Sequence, residues 1–246
     1  MKLVLSLAVA VATATPGLAL PLNDAERAAF RAELRAYLLE HPEVIREALE
    51  GAETRRMARH ANADLARIEA HAGTLFRAPD DWTGGAPDGD VTLVSFVDYR
   101  AEGARRALDA AREAAARDGQ LRLVVKEAPR PGDEAAERAA RFALAVLRLA
   151  GPAAYEAAQT RLFAAGATLD ADALERISAE LGLDPAEVTT RMAGADITAK
   201  LAETRALAEA LELGPAPAQV LRQTMVRGDV PAVALLRMVE AIRRKK

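Results

Sequence analysis

The 246-residue chain contains no cysteine. That absence excludes structural disulfides, zinc-thiolate centres, iron–sulfur clusters and thiol catalysis together. Aromatic residues are also scarce, at 4%, so the core must be filled largely by leucine, valine and the 59 alanines. Such a composition favours helix. Histidine occurs only at positions 41, 60 and 71. His60 and His71 lie about 16 Å apart along a helix, too far to share a metal. Of the three serines, Ser6, Ser95 and Ser178, Ser95 sits in a strand pattern with no histidine near it in sequence, which gives a hydrolytic triad no support. Excess charge of one sign is missing too. With 33 Lys and Arg against 36 Asp and Glu the net charge is −3, the wrong balance for a general nucleic-acid binder. The basic pair Arg105-Arg106 and the tail Arg243-Arg-Lys-Lys246 do not override it. The glycines fit no phosphate-cradling pattern, and no cofactor or metal is expected.

Long apolar runs are absent apart from one at the start. Lys2 precedes the uncharged stretch Leu3 to Ala14; Pro16, Gly17 and Ala19 follow. This layout reads as a secretory signal peptide over residues 1–19, cut after Ala19, and its apolar run is too short to span a bilayer. The mature protein is expected to be periplasmic or secreted, with no stable membrane insertion.

Beyond it, residues 20–76 read as a helical arm. Asn23 or Asp24 caps the first segment, Phe30, Leu34, Tyr37 and Leu38 share a face, and Pro42 opens a second helix. A slender helical arm cannot bury its own apolar face, so that face needs a partner: the arm's own domain, or the same arm of another subunit in a homo-oligomer. Residues 77–90, with Pro79, Gly84, Gly85, Pro87 and Gly89, read as a linker. Val91 to Tyr99 is dense in β-branched and aromatic residues and reads as a strand. Ala101 to Arg117 reads as a helix, and Leu121 to Lys126 as a second strand. A unit of this length implies a parallel pair with a right-handed crossover. Residues of about 133–213 are helical with breaks at Gly151-Pro152, Gly166, Asp184-Pro185 and Gly194. A hairpin, Ala218–Leu221 with Gln223–Val226, and a helix from Pro231 to Arg243 complete the chain. Lys126-Glu127 reads as an ordinary ion pair at a strand end, with a proton-relay pair as the alternative. The expected class is α/β: a thioredoxin fold over residues 91–246 with an inserted helical subdomain, preceded by the helical arm.

The segment Asp88-Gly-Asp-Val-Thr-Leu-Val-Ser-Phe-Val-Asp-Tyr99 with Arg105-Arg106, the stretch Val125-Lys-Glu-Ala-Pro129 and the loop Ala216-Pro-Ala218 resemble the DsbA family of periplasmic thiol-disulfide oxidoreductases. Leu34 to Ile45 resembles the arm of its branch containing suppressor-of-copper-sensitivity protein C. The resemblance implies a cis peptide at Pro217 and an active-site motif, Cys-x-x-Cys, at the start of the first helix. Here that place holds Ala101-Glu102-Gly103-Ala104. The acidic residue that the resemblance implies six positions earlier is Ser95, the threonine before the cis-proline is Ala216, and an apolar residue two places after it is Gln219. With these parts of one mechanism absent, no catalytic residue is expected. What the resemblance leaves is a groove lined by Ala101, Glu102, Gly103, Ala104, Ala216 and Pro217: either it receives extended or unfolded exported polypeptides as partners, or it is vestigial and Pro217 only supports the fold. A disulfide oxidoreductase or isomerase is the alternative that the family resemblance alone implies.

Overall fold

A computed structural model describes residues 23–166 and 168–244; the signal-peptide reading of residues 1–19 lies outside the described residues. The chain divides into two compact units, Met1–Met57 and Ala58–Lys246. The division falls inside a helix rather than in the expected linker.

In the first unit, α1 (Asp24–Glu40) opens with a reciprocal capping box: Glu26 N–H donates to Asn23 Oδ1 at 3.0 Å and Asn23 N–H to Glu26 Oε2 at 2.9 Å. Two otherwise orphaned amide donors are thereby satisfied. No residue of α1 is buried. Phe30, Leu34 and Tyr37 are 55%, 44% and 50% exposed, so the apolar face read from the sequence has no cover among the described residues. α2 (Pro42–Ala70) starts on Pro42, whose fixed φ suits a first helical turn.

The second unit takes the end of α2, α3 (Ala72–Phe76) and everything after. It is built on a five-stranded sheet of order β1-β3-β2-β4-β5, with β1 (Trp82–Gly85), β2 (Val91–Val97), β3 (Leu121–Glu127), β4 (Ala218–Leu221) and β5 (Thr224–Arg227). β2 and β3 run parallel, Val94 opposite Val124 and Val97 opposite Glu127, and the other pairs are antiparallel. The crossover is α4 (Ala104–Asp118); the insertion is α5 (Glu134–Ala165), α6 (Ala171–Glu180), α7 (Pro185–Met192) and α8 (Ala195–Ala210); α9 (Ala232–Arg243) closes the chain. This is the expected thioredoxin topology with its helical insertion.

Side-chain alternation sends β2 and β3 into two cores. Leu93, Val97, Leu121, Leu123 and Val125 pack with α4, α5 and α9 on one face. Val94, Phe96 and Val124 pack on the other with Leu207, Leu211, Leu213 and with Ile68 and Leu75, which were read as arm. The arm boundary at residue 76 is therefore corrected: α3 and the last turns of α2 belong to the sheet unit because their apolar side chains complete its second core.

The linker reading of 77–90 is corrected as well. Its centre is an edge strand, β1, paired antiparallel with β3. Gly84 is there for close packing rather than slack, since a Cβ on it would lie 2.2 Å from the Trp82 ring. α4 begins at Ala104, three residues later than read, and Gly103 precedes it with φ +78°. A left-handed residue cannot continue a right-handed helix, so Ala101 to Gly103 form a turn ahead of it.

Candidate functional site

The site is the turn at the carboxyl end of β2 and the loop that leads into β4. Asp98, buried, accepts from Arg100 N–H at 2.9 Å through Oδ1 and from Arg130 N–H at 3.0 Å through Oδ2. It thereby ties the turn to the loop after β3. Ala101 N–H donates to Asp98 C=O at 3.1 Å and Ala104 N–H to Ala101 C=O at 3.2 Å. Ala104 is buried, Ala101 and Gly103 half-buried, and Glu102 exposed.

The Ala216–Pro217 peptide is cis. Pro217 is buried and Ala216 half-buried. Pro217 C=O accepts from Gly228 N–H at 2.8 Å. The next residue, Asp229, places its Oδ1 only 2.9 Å from where a Cβ on Gly103 would stand, while its Oδ2 accepts from Arg106 Nε at 2.8 Å. The Arg106 hydrogen bond holds the Asp229 carboxyl below its usual range. The cis-proline loop and the turn before α4 are thus linked through residues 228–229, which sequence reasoning did not single out. Ala216 N–H and C=O have no hydrogen-bond partner among the described residues.

Beneath the turn lie Ser95 and Gln219, two of the positions where the resemblance implies other residue types. Ser95 and Gln219 stand opposite each other in the β2–β4 register, and both are fully buried. Gln219 Nε2 donates to Ala107 C=O of α4 at 2.8 Å, whereas Ser95 Oγ and Gln219 Oε1 have no partner among the described residues. The pair is polar but carries no titratable group, and through Gln219 it pins α4 to the sheet.

Lys126 and Glu127 do not pair with each other. As neighbours in a strand they point to opposite faces, so the reading of a strand-end ion pair is corrected. Lys126 binds Asp81, whose other oxygen binds Lys200 Nζ at 2.7 Å; all three side chains are at most 7% exposed. Burial pushes the Lys126 ammonium below its usual range against the opposing pull of Asp81. Glu127 Oε1 accepts from the hydroxyls of Tyr99 at 2.7 Å and Tyr155 at 2.5 Å. Burial raises its pKa to about 8, the two tyrosine hydrogen bonds opposing and buried Asp98 adding to the rise. Tyr155 lies 28 residues away in α5, and no local pattern marked it.

The Glu127 cluster sets a pH dependence with a definite sign. A glutamate in the unfolded chain ionises near its ordinary value, while the folded one stays protonated up to about 8. Stability from this group is fully present below the lower value, falls as the pH rises between the two and is flat above, by an amount on the order of a few kcal/mol. Glu127→Gln, which keeps the accepting carbonyl, should abolish that slope. Urea midpoints for both proteins at intervals from pH 5 to 9 test it; parallel profiles would refute the assignment.

Among the described residues no group of histidines and carboxylates is placed to hold a metal. A twisted mixed sheet with a helix following the turn at 98–103 and a cis-proline opposite defines the thioredoxin class. The family model for the DSBA-like thioredoxin domain matches residues 109–238, and that for the copper resistance protein ScsC N-terminal domain matches residues 26–58. The chain belongs to the DSBA-like thioredoxin domain family. A thioredoxin-like oxidoreductase from Silicibacter pomeroyi is 32% identical, with a TM-score of 0.65 over 70% of this chain and 97% of its own. ScsC of Proteus mirabilis is 23% identical, with a TM-score of 0.65 over 92% of this chain and 99% of its own. BcfH of Salmonella enterica Typhimurium is 18% identical, with a TM-score of 0.72 over 88% and 95%. The last two show likeness of fold. A comparison with curated proteins found no match.

Proposed function

We propose that this chain is an exported, redox-inactive member of its family that holds extended segments of other polypeptides at the Ala216 edge. The carrying observation is a backbone N–H and C=O at Ala216 without partners among the described residues; it is joined by the family resemblance, which implies reactive cysteines where this chain has Ala101 and Ala104. Pairing through the main chain needs no particular side chain on the host, so loss of the thiols leaves it intact. A thiol-disulfide oxidoreductase is what family membership alone would assign. Its nucleophile is a thiolate, and the chain has no sulfur except in methionine, which favours the binding reading.

The relatives support export: one structural neighbour is a periplasmic thioredoxin-like protein from Salmonella enterica. No helix among the described residues is long and apolar enough to cross a membrane. The arm adds a second copy of the chain as a partner, because Phe30, Leu34 and Tyr37 form an exposed apolar stripe on a helix with no buried residue.

Labelled, reduced and carboxymethylated α-lactalbumin, which cannot fold or exchange disulfides, serves as the probe. Fluorescence anisotropy should give saturable binding that is the same in oxidising and reducing buffer. Ala216→Pro, which removes the N–H donor, should weaken it. Absence of binding to the wild-type chain, or binding indifferent to this substitution, would overturn the reading.

A further inference from the structure

A cavity of about 440 Å³ opens beside Ala216 on the sheet face away from α4. Its walls are Phe96, Ala128, Leu201, Ala208 and Leu213, from β2, the loop after β3, α8 and the segment before the cis-proline. Phe96, Leu201 and Leu213 are at most 3% exposed, so the walls are set by core packing, and the volume falls within the range of built ligand pockets. Four exposed charged side chains line it: Arg205 pairs with Glu137 and Glu212 with Arg67, which leaves two of opposite sign, Arg130 after β3 and Glu209 on α8. Neither makes an ion pair among the described residues.

We propose that this cavity selects which polypeptide segments are held: those with apolar side chains at alternate positions, flanked by an acidic residue on one side and a basic residue on the other. The inference rests on the polypeptide-binding reading above and adds the chemistry of the bound segment. An extended chain paired at Ala216 places every second side chain on one face, about 6.5–7 Å apart. On the cavity side those side chains enter an apolar lining, where removal from water favours leucine or valine over serine. Arg130 and Glu209 give the mouth a polarity but little net charge. A segment whose carboxylate meets Arg130 and whose ammonium meets Glu209 is matched in both register and direction. Lone anions and uniformly basic or acidic segments meet one favourable and one unfavourable charge.

The test uses the mature full-length chain and two labelled peptides, Asp-Ser-Leu-Ser-Leu-Ser-Leu-Ser-Lys and its analogue with every leucine replaced by serine. Anisotropy titration should show the leucine peptide binding about tenfold or more tightly. Ala208→Trp and Ala128→Trp fill the cavity from two of its lining elements, and each should remove that preference while far-ultraviolet circular dichroism is unchanged. The double substitution Arg130→Glu with Glu209→Lys should keep the leucine preference and reverse the preference between the peptide and one with Asp and Lys exchanged. Equal binding of the leucine and serine peptides would overturn the cavity as selector yet leave the Ala216 edge as a binding site. Binding of neither peptide would overturn both. The wild-type peptide comparison decides the matter even where a tryptophan variant does not fold.

Discussion

Asp81→Asn should lower the stability of the sheet unit by about 3–5 kcal/mol, the cost of leaving a buried charge without its partner. Asp81 lies between Lys126 and Lys200, its side chain 2% exposed and theirs 1% and 7%. Removing the carboxylate leaves two ammonium groups facing each other, with only Glu203 nearby, 3.5 Å from Lys200. The opposing effects have a clear winner. Each lysine can shed a proton to escape the charge, but a neutral amine still forfeits the strong hydrogen bond that oriented it. Urea unfolding at neutral pH measures the change. Adding Lys126→Met to the same variant should restore part of the loss, because the unpaired charge goes with the side chain. A loss below about 1 kcal/mol would place the triad with weakly coupled surface pairs instead.

The second large effect is a gain of chemistry. The unmodified chain should show no insulin reduction or thiol oxidation above blank, since no nucleophilic sulfur is present. Ala101→Cys with Ala104→Cys should create an intramolecular disulfide. The two positions close a turn in which Ala104 N–H bonds Ala101 C=O at 3.2 Å. Turn ends of that kind bring Cα atoms within about 7 Å, and a disulfide spans roughly 4.4–6.8 Å. Thiol titration and mass analysis after mild oxidation detect the bond. Insulin turnover should then appear, but slowly: Ser95 offers no carboxylate to move protons, and the Asp229 carboxylate beside Gly103 and the adjacent Glu102 oppose a thiolate nearby. Catalysis by the wild-type chain would overturn the redox-inactive reading. Failure of the cysteines to pair would show that residues 101–104 do not have the geometry of the motif they replace.

Local sequence carried much of this fold. β2 and β3 declared themselves by runs of valine and leucine, and the helical breaks at Gly151, Gly166 and Gly194 fall where glycine or proline stops a ladder of hydrogen bonds. β1 did not, because its two glycines match a linker by composition. They are explained only by a Trp82 ring and a neighbouring strand about 40 residues on. The start of α4 was misread for a similar reason: Ala101 and Glu102 are good helix formers, and Gly103 overrides them with one positive dihedral angle. The turn of the site and the cis-proline loop were legible through family resemblance. Asp229, Tyr99 and Tyr155 were not, since their roles depend on contacts across 28 or more residues. Lys126 and Glu127 could have been separated by strand parity alone.

The sheet ends on both sides in strands of only four residues, β1 with Gly84 and Gly85 and β5 with Arg227, which is held by Asp64 at 2.9 Å. Long, flat, apolar edges recruit strands from other chains and seed fibrils, whereas short edges bearing glycine or charge resist this. A protein that met unfolded chains at high local concentration would be exposed to that hazard more than most. Under the polypeptide-binding reading proposed above, these blunt edges would leave pairing to the single peptide unit beside Pro217, a contact too small to template aggregation of a held segment.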